Sequence, residues 1–203
     1  MERKKIGVMG GTFDPIHNGH LAIASLVKRQ LALDEVVFIP DNIPPHKMSK
    51  HWSSALDRYK MTELGIEGHP GFVISDLELK RAGISYTYDT LRYLQETYGD
   101  RDEFFFIIGA DSLVELHTWH KAEELIKLCK FVAVTRPGFG LSMEKTLAEF
   151  KKQGVNNIIW VETPEFAVSS TEIRKRVQAG QPIANLVPKA VAEYIRQTDL
   201  YRR

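Results

Sequence analysis

The sequence predicts an α/β protein, and three observations carry that reading. Short apolar or β-branched runs recur at Ile6–Met9, Val36–Ile39, Phe72–Leu77, Phe104–Ile108, Phe131–Thr135 and Asn157–Val161, each bounded by Gly, Pro, Asp or charged residues, as buried strands are. Segments with helical spacing lie between them. The two kinds alternate along the chain, which implies βαβ units, right-handed crossovers and a ligand crevice outside the carboxyl ends of parallel strands. The expected architecture is a Rossmann-like, doubly wound parallel sheet of about six strands, with helices on both faces and a C-terminal helical segment.

Taken in order, the first strand ends at Gly10-Gly11 and leads into a helix with Leu21, Ala24, Leu26 and Leu31 at helical spacing. The second strand gives way to a long loop, Asp41–Ser54, containing Pro44-Pro45 and several basic residues. A helix follows with Leu56, Tyr59, Met61 and Leu64, and then the third apolar run. Ser85–Thr90 precedes a helix carrying Leu91, Leu94 and Tyr98, with Thr87 as a good N-cap. After Phe104–Ile108, Gly109-Ala110-Asp111 reads as a strand-to-helix turn with Asp111 as cap, and Trp119 comes shortly after. A second loop, Arg136–Leu141, follows the fifth run. Ser169 and Glu172 form a capping-box pattern that starts a helix, and Pro188 sits in the first turn of the last one, with Val191 and Ile195 on one side. No internal repeat or linker-like stretch interrupts this series, so residues 1–203 are expected to form a single domain.

Composition excludes several function classes. The 27 Lys and Arg residues against 26 Asp and Glu leave a formal charge of +1, so no global basic field argues for binding a long nucleic acid. Any phosphate affinity must be local. The single cysteine, Cys129, cannot form an internal disulfide and reads as a small buried core residue. With neither a signal-like leader nor a run of about eighteen apolar residues, a chain with no membrane partner is expected in the cytoplasm.

The densest chemistry lies in residues 10 to 20, Gly-Gly-Thr-Phe-Asp-Pro-Ile-His-Asn-Gly-His. Two glycines at a strand's end remove the side chains that would keep a phosphate from the backbone. His17 and His20 fall three residues apart, on one face of the first turn of a helix, where free N–H groups and the dipole favour an anion. A polyphosphate suits such a place. The same string is neither a Walker loop nor a dinucleotide fingerprint, since Gly-x-x-x-x-Gly-Lys-Ser/Thr and Gly-x-Gly-x-x-Gly are both missing. A metal site built from Asp14, His17 and His20 ranks low, because the glycines would then have no task. His117 and His120 repeat the spacing without glycines or carboxylates and read as surface residues flanking Trp119.

The string resembles the signature of the His-x-Gly-His nucleotidyltransferases, and most closely that of the bacterial nicotinate-nucleotide adenylyltransferase family. The resemblance implies transfer of AMP from ATP to nicotinic acid mononucleotide, giving nicotinic acid adenine dinucleotide and pyrophosphate in NAD biosynthesis. Ser169-Ser170-Thr171-Glu172-Ile173-Arg174 resembles the family's Ser-Ser-Thr-x-Ile-Arg motif, which implies that these hydroxyls and Arg174 hold the β- and γ-phosphates of ATP. Of Lys175 and Arg176, at least one faces water. The same resemblance places Gly10, Gly11, Thr12, Phe13, Gly109 and Asp111 against ATP, with Arg136 facing either the nucleotide or water. On the mononucleotide side it places Lys47, Asp111, Trp119 stacked on the pyridine ring, and Thr87 near the pyridine carboxylate. Lys47-Met48-Ser49-Lys50 also matches most of a string used by class I aminoacyl-tRNA synthetases, but it lies too early in the chain for that role.

The acceptor phosphate is already mostly dianionic at neutral pH, so His17 and His20 are expected to act as hydrogen-bond donors, not bases, and to resist protonation at a positive helix end. Mg²⁺ is expected on the ATP phosphates, with no metal held by the protein alone. ATP and nicotinic acid mononucleotide are the implied partners, and a homo-oligomer is compatible with the sequence. Two alternatives stand beside this reading: a pantetheine-phosphate adenylyltransferase, and a non-catalytic nucleotide sensor on the same fold.

Overall fold

The computed structural model describes residues 3–43, 52–81, 83–99, 102–135, 140–152, 154–164 and 166–202, the side chains of 140–143 excepted. The six apolar runs become β1 (Lys5–Gly11), β2 (Glu35–Pro40), β3 (Phe72–Ile74), β4 (Glu103–Gly109), β5 (Lys130–Thr135) and β6 (Ile158–Glu162). They form one sheet in the order β3-β2-β1-β4-β5-β6, and every adjacent pair is parallel. Val8 lies between Val37 and Phe106 in register, so β1 and β4 are neighbours at the centre although about a hundred residues separate them. The strand order reverses direction there, which opens a crevice at the carboxyl ends of β1 and β4.

Alternation along each strand supplies two cores. Val36, Phe38, Phe105, Ile107 and Val132 point to one face and pack with Leu21, Ala24 and Val27 of α1 (Asn18–Gln30), Met61 of α2 (Ala55–Ile66), Ile173 of α8 (Ser170–Gln178) and Val191 and Ile195 of α9 (Lys189–Gln197). Val37, Ile39, Phe104, Phe106, Ile108 and Phe131 point to the other face. There they meet Leu77 of α3 (Leu77–Arg81), Leu91 and Leu94 of α4 (Thr87–Tyr98), Leu113 of α5 (Ala110–Val114) and Leu125 of α6 (Ala122–Leu128). With α7 (Gly140–Lys152), helices cover both faces, which matches the doubly wound architecture that the alternation predicts.

Three local expectations are corrected. The run Phe72–Leu77 is a strand only as far as Ile74, because Ser75 Oγ accepts the Leu77 amide at 3.3 Å and turns the chain into α3. The loop expected over Arg136–Leu141 already becomes helical at Gly140, while its residues 136–139 lie outside the described set. Pro188 stands at the N-cap of α9, one place before its first turn.

Candidate active site

The carboxyl end of β1 turns through Thr12–Ile16 into α1, and that turn is tied down from several sides. Arg58 of α2, only 2 % exposed, donates to the carbonyls of Thr12 (3.0 Å), Asp41 (2.6 Å), Asn42 (2.9 Å) and Ser53 (3.1 Å), and pairs with the Asp41 carboxylate at 2.9 Å. One buried guanidinium thus joins the loops after β1 and β2. Thr12 Oγ1 adds a bond to Asp41 Oδ2 at 3.1 Å. Phe13 is buried, and its ring meets His20 edge-on at 5.2 Å. The Phe13 ring is thus packed against the His20 imidazole inside the protein.

His17 and His20 cap α1 reciprocally. His17 is the N-cap and its Nδ1 accepts the His20 amide at 3.4 Å, while His20 Nδ1 accepts the His17 amide at 3.2 Å. The rings stack at 3.7 Å with 17° between planes. An Nδ1 that accepts an N–H carries no proton, so each neutral ring holds its hydrogen on Nε2 and can offer it as a donor. Gly19 leaves room for this geometry, since a Cβ there would stand 3.0 Å from the Val168 side chain and 3.1 Å from His17 Nδ1, tight enough that those side chains would have to give by a few tenths of an ångström.

The expected cradle of free amides is mostly absent at this helix start. The Asn18 amide donates to the Leu186 carbonyl at 2.9 Å, and the His20 and Leu21 amides turn back to His17. Burial, rather than the helix dipole, dominates the electrostatics. It lowers the His17 imidazole to about 4 and His20 well below its ordinary value, with repulsion from His17 as a lesser cause for His20. Both rings are neutral at physiological pH.

Two clefts open at this end of the sheet. The larger, about 730 Å³, is lined by Gly10, Gly11, Thr12, Thr87, Trp119 and His120, among others. The smaller, about 400 Å³, is lined by His17, Gly19, Asp111, Thr163, Pro164 and Ser169, among others. His20 and Gly109 belong to both. The sequence-predicted residues are therefore divided: Gly10, Gly11 and Thr12 share a cleft with Thr87 and Trp119, and Asp111 borders only the other. Asp111 is in the first turn of α5 and Gly109 holds the N-cap position, so Asp111 is not the cap expected of it. Thr87 is likewise the first helical residue of α4, behind an N-cap Tyr86 that makes no side-chain bond. The first turn of α4 thus opens toward the larger cleft without a capping side chain. Lys47 and Arg136 lie outside the described residues.

At the far side of the smaller cleft, Ser169 caps α8 by accepting the Glu172 amide at 3.2 Å, which leaves its own hydroxyl hydrogen for another partner. Ser170 differs, since its hydroxyl donates to the Pro15 carbonyl at 2.9 Å and can offer an incoming phosphate no proton while that bond stands. Arg174 Nη1 donates to the Asp14 carbonyl at 2.6 Å, and Nη2 donates to Thr171 Oγ1 at 3.3 Å. Glu172 pairs with Arg176 at 2.9 Å instead of closing a capping box, so Arg176 is engaged along its own helix and Lys175 is exposed.

Several residues at the site carried no sequence signal. His120 is exposed, as its reading as a surface residue has it, and it also lines the larger cleft with its ring 4.4 Å from that of Tyr86. Glu78 is a buried carboxylate in the same wall, held by Thr90 Oγ1 at 2.5 Å, and burial raises its pKa. Among the described residues no cluster of three His, Cys, Asp or Glu could hold a metal ion, and no helix is long and apolar enough to cross a membrane.

Comparison with known proteins places this arrangement. A family model described as cytidylyltransferase-like matches residues 8–176. The chain is 44 % identical over 205 residues to a probable nicotinate-nucleotide adenylyltransferase of Thermoanaerobacter sp. (strain X514), covering 100 % of this chain and 97 % of the relative. It is 41 % identical to the nicotinate-nucleotide adenylyltransferase of Bacillus subtilis (strain 168), with 98 % of each chain covered. Among solved structures, the nicotinic acid mononucleotide adenylyltransferase of Plasmodium falciparum complexed with NaAD superposes with a TM-score of 0.81 at 21 % identity, covering 98 % of both chains, a likeness of fold.

Proposed function

The chain belongs to the nicotinate-nucleotide adenylyltransferases within the cytidylyltransferase-like family, and from that premise we propose how its two clefts perform the transfer. It transfers AMP from ATP to nicotinic acid mononucleotide, releasing pyrophosphate and giving the deamido dinucleotide. The observation that carries the mechanism is the pair of clefts meeting at His20 and Gly109. The acceptor occupies the larger cleft, with Trp119 against the pyridine ring and the uncapped first turn of α4 at Thr87 facing its carboxylate. The adenosine of ATP occupies the smaller, with Asp111 at the ribose. The α-phosphate then sits where the clefts join at His20 and Gly109, on the side of the larger cleft that Gly10, Gly11 and Thr12 line, and the β- and γ-phosphates extend toward Ser169, Thr171 and Arg174.

An oxygen of the acceptor phosphate attacks the α-phosphorus, and the bond to the bridging oxygen breaks as pyrophosphate leaves. The nucleophile is already an anion, so no proton need be removed. The Nε2–H groups of His17 and His20 donate to the α-phosphate and bridging oxygens as charge builds, and Arg174 with the Ser169 and Thr171 hydroxyls receives the leaving group. Nucleotidyltransferases of this kind typically use a divalent metal. The donor set here fits Mg²⁺ held by substrate phosphates and water, since the described residues offer no carboxylate cluster to cage it, and the ion would neutralise phosphate charge. Lys47 on the acceptor phosphate, Arg136 near the nucleotide, residues 1–203 acting as a single domain and a cytoplasmic location belong to the same reading.

Pyrophosphate release measured with ATP, Mg²⁺ and each candidate acceptor tests it. Rapid release is expected with nicotinic acid mononucleotide, a strong loss in kcat/KM with the corresponding amide, and none with pantetheine phosphate. Equal efficiency with acid and amide would remove the role given to Thr87 and the α4 start.

A further inference from the structure

Asp14, 2 % exposed, lies at the centre of a junction that the proposed chemistry does not use directly. Its Oδ1 accepts the Tyr201 hydroxyl at 2.6 Å, its Oδ2 accepts the Ser53 amide at 3.4 Å, and its main-chain carbonyl accepts Arg174 Nη1 at 2.6 Å. The Arg174 guanidinium stands 4.0 Å from the Asp14 carboxylate, which is outside hydrogen-bond range. A buried carboxylate that close to a cation would draw it in unless its oxygens were satisfied elsewhere. Tyr201 and Ser53 satisfy them.

The segment after α9 is shaped for this contact. Asp199 and Tyr201 both have positive φ, 52° and 66°, which turns the chain back and brings the phenol against Asp14 and Met61. Burial and the Asp14 charge push the Tyr201 phenol up, so it stays a donor throughout the usable pH range.

We infer that Tyr201 is a positioning residue for the pyrophosphate end of the site: its hydroxyl neutralises the pull of Asp14, so that Arg174 stays on the Asp14 carbonyl. Among the described residues Arg174 then commits two of its N–H donors, to that carbonyl and to Thr171, leaving three of the five in a guanidinium for an anion. Without the hydroxyl, the guanidinium swings onto the carboxylate as a charge-assisted pair and is withdrawn from the phosphates. The inference rests on the reading of Arg174 as the pyrophosphate contact.

Product inhibition by pyrophosphate reads the effect directly. Tyr201→Phe is expected to raise the pyrophosphate inhibition constant about tenfold, the scale of one hydrogen bond to a charged group, and to raise KM for ATP while KM for the acceptor stays unchanged. Tyr194→Phe is the control, because it deletes a comparable bond, to Asp57 Oδ1 at 2.8 Å, without reaching Asp14. It should leave the inhibition constant unchanged. In an Arg174→Ala background, Tyr201→Phe should add nothing. Asp14→Asn, which removes the charge that would capture Arg174, should keep the inhibition constant near normal with or without the Tyr201 hydroxyl, and so covers the case in which Tyr201→Phe alone folds poorly. An unchanged constant in Tyr201→Phe, or the same shift in Tyr194→Phe, overturns the inference while Arg174→Ala still weakens pyrophosphate binding. Should Arg174→Ala have no effect, the assignment of Arg174 fails and the inference goes with it.

Discussion

Replacing His17 by Asn separates its titration from its capping. Asn is a good N-cap and can accept the His20 amide as the imidazole does, so the start of α1 should survive. What disappears is a ring whose pKa is about 4 in the folded protein and 6.5 in the unfolded chain. A lowered histidine pKa means that the unfolded chain binds the proton more readily, so stability is full above the unfolded value and declines as pH falls from 6.5 toward 4. Below that window the loss levels off. With those two values the native protein should lose about 2 kcal/mol by pH 5 and about 3 kcal/mol by pH 4 through this group alone. The loss should be smaller in His17→Asn, and removing the His17 charge also eases protonation of His20, which flattens the profile further. Urea unfolding of both proteins at pH 7, 6, 5 and 4 gives the comparison. Parallel profiles across that range would refute the burial argument.

Three further outcomes follow from the same geometry. His20→Ala should cut turnover by about 10²–10³, the usual loss on deleting one preorganised donor, and steady-state pyrophosphate release with unfolding curves would separate that loss from misfolding. Arg58→Ala removes the guanidinium partner of the Asp41 carboxylate and takes its donors from four main-chain carbonyls, so the urea midpoint should fall by an amount equivalent to about 3–5 kcal/mol; a loss under about 1 kcal/mol would show that the two loops hold without it. The Cys129 thiol, buried and pushed up from 9.0 to about 12, should react with an aromatic disulfide at pH 8 roughly 10³-fold more slowly than in the unfolded chain, as its thiolate fraction dictates.

What could be read in advance was what is local in the chain. The four inner strands β2, β1, β4 and β5 announce themselves because each is a continuous apolar run buried on both faces of a parallel sheet. The residues 10 to 20 are legible because glycines, proline and histidines act on one another within a few positions. Misreadings arose where a short polar side chain redirected the backbone, as Ser75 does between β3 and α3, or where neighbouring amides compete, as at the start of α1. Arg58, Glu78 and Tyr201 gave no signal for a different reason. Most of their partners lie from 12 to 187 positions away, and a single Arg, Glu or Tyr has no periodicity to mark it. His120 has no glycine or carboxylate pattern around it to mark it, and the fold carries this exposed residue to the same cleft as Gly10 and Gly11.

The division of the clefts has an evolutionary side. Glu78, Ser85, Thr87, Thr90 and the residues Thr118 to His120 border only the larger cleft, whereas Thr163, Pro164, Phe166, Val168 and Ser169 border only the smaller. Only the seam between them, at His20, Ile23, Gly109 and Val134, is common property. Substitutions in the first set can drift toward a new acceptor while the donor's berth and the reacting seam are inherited intact. A scaffold divided in this way can change its customers one at a time and keep its trade.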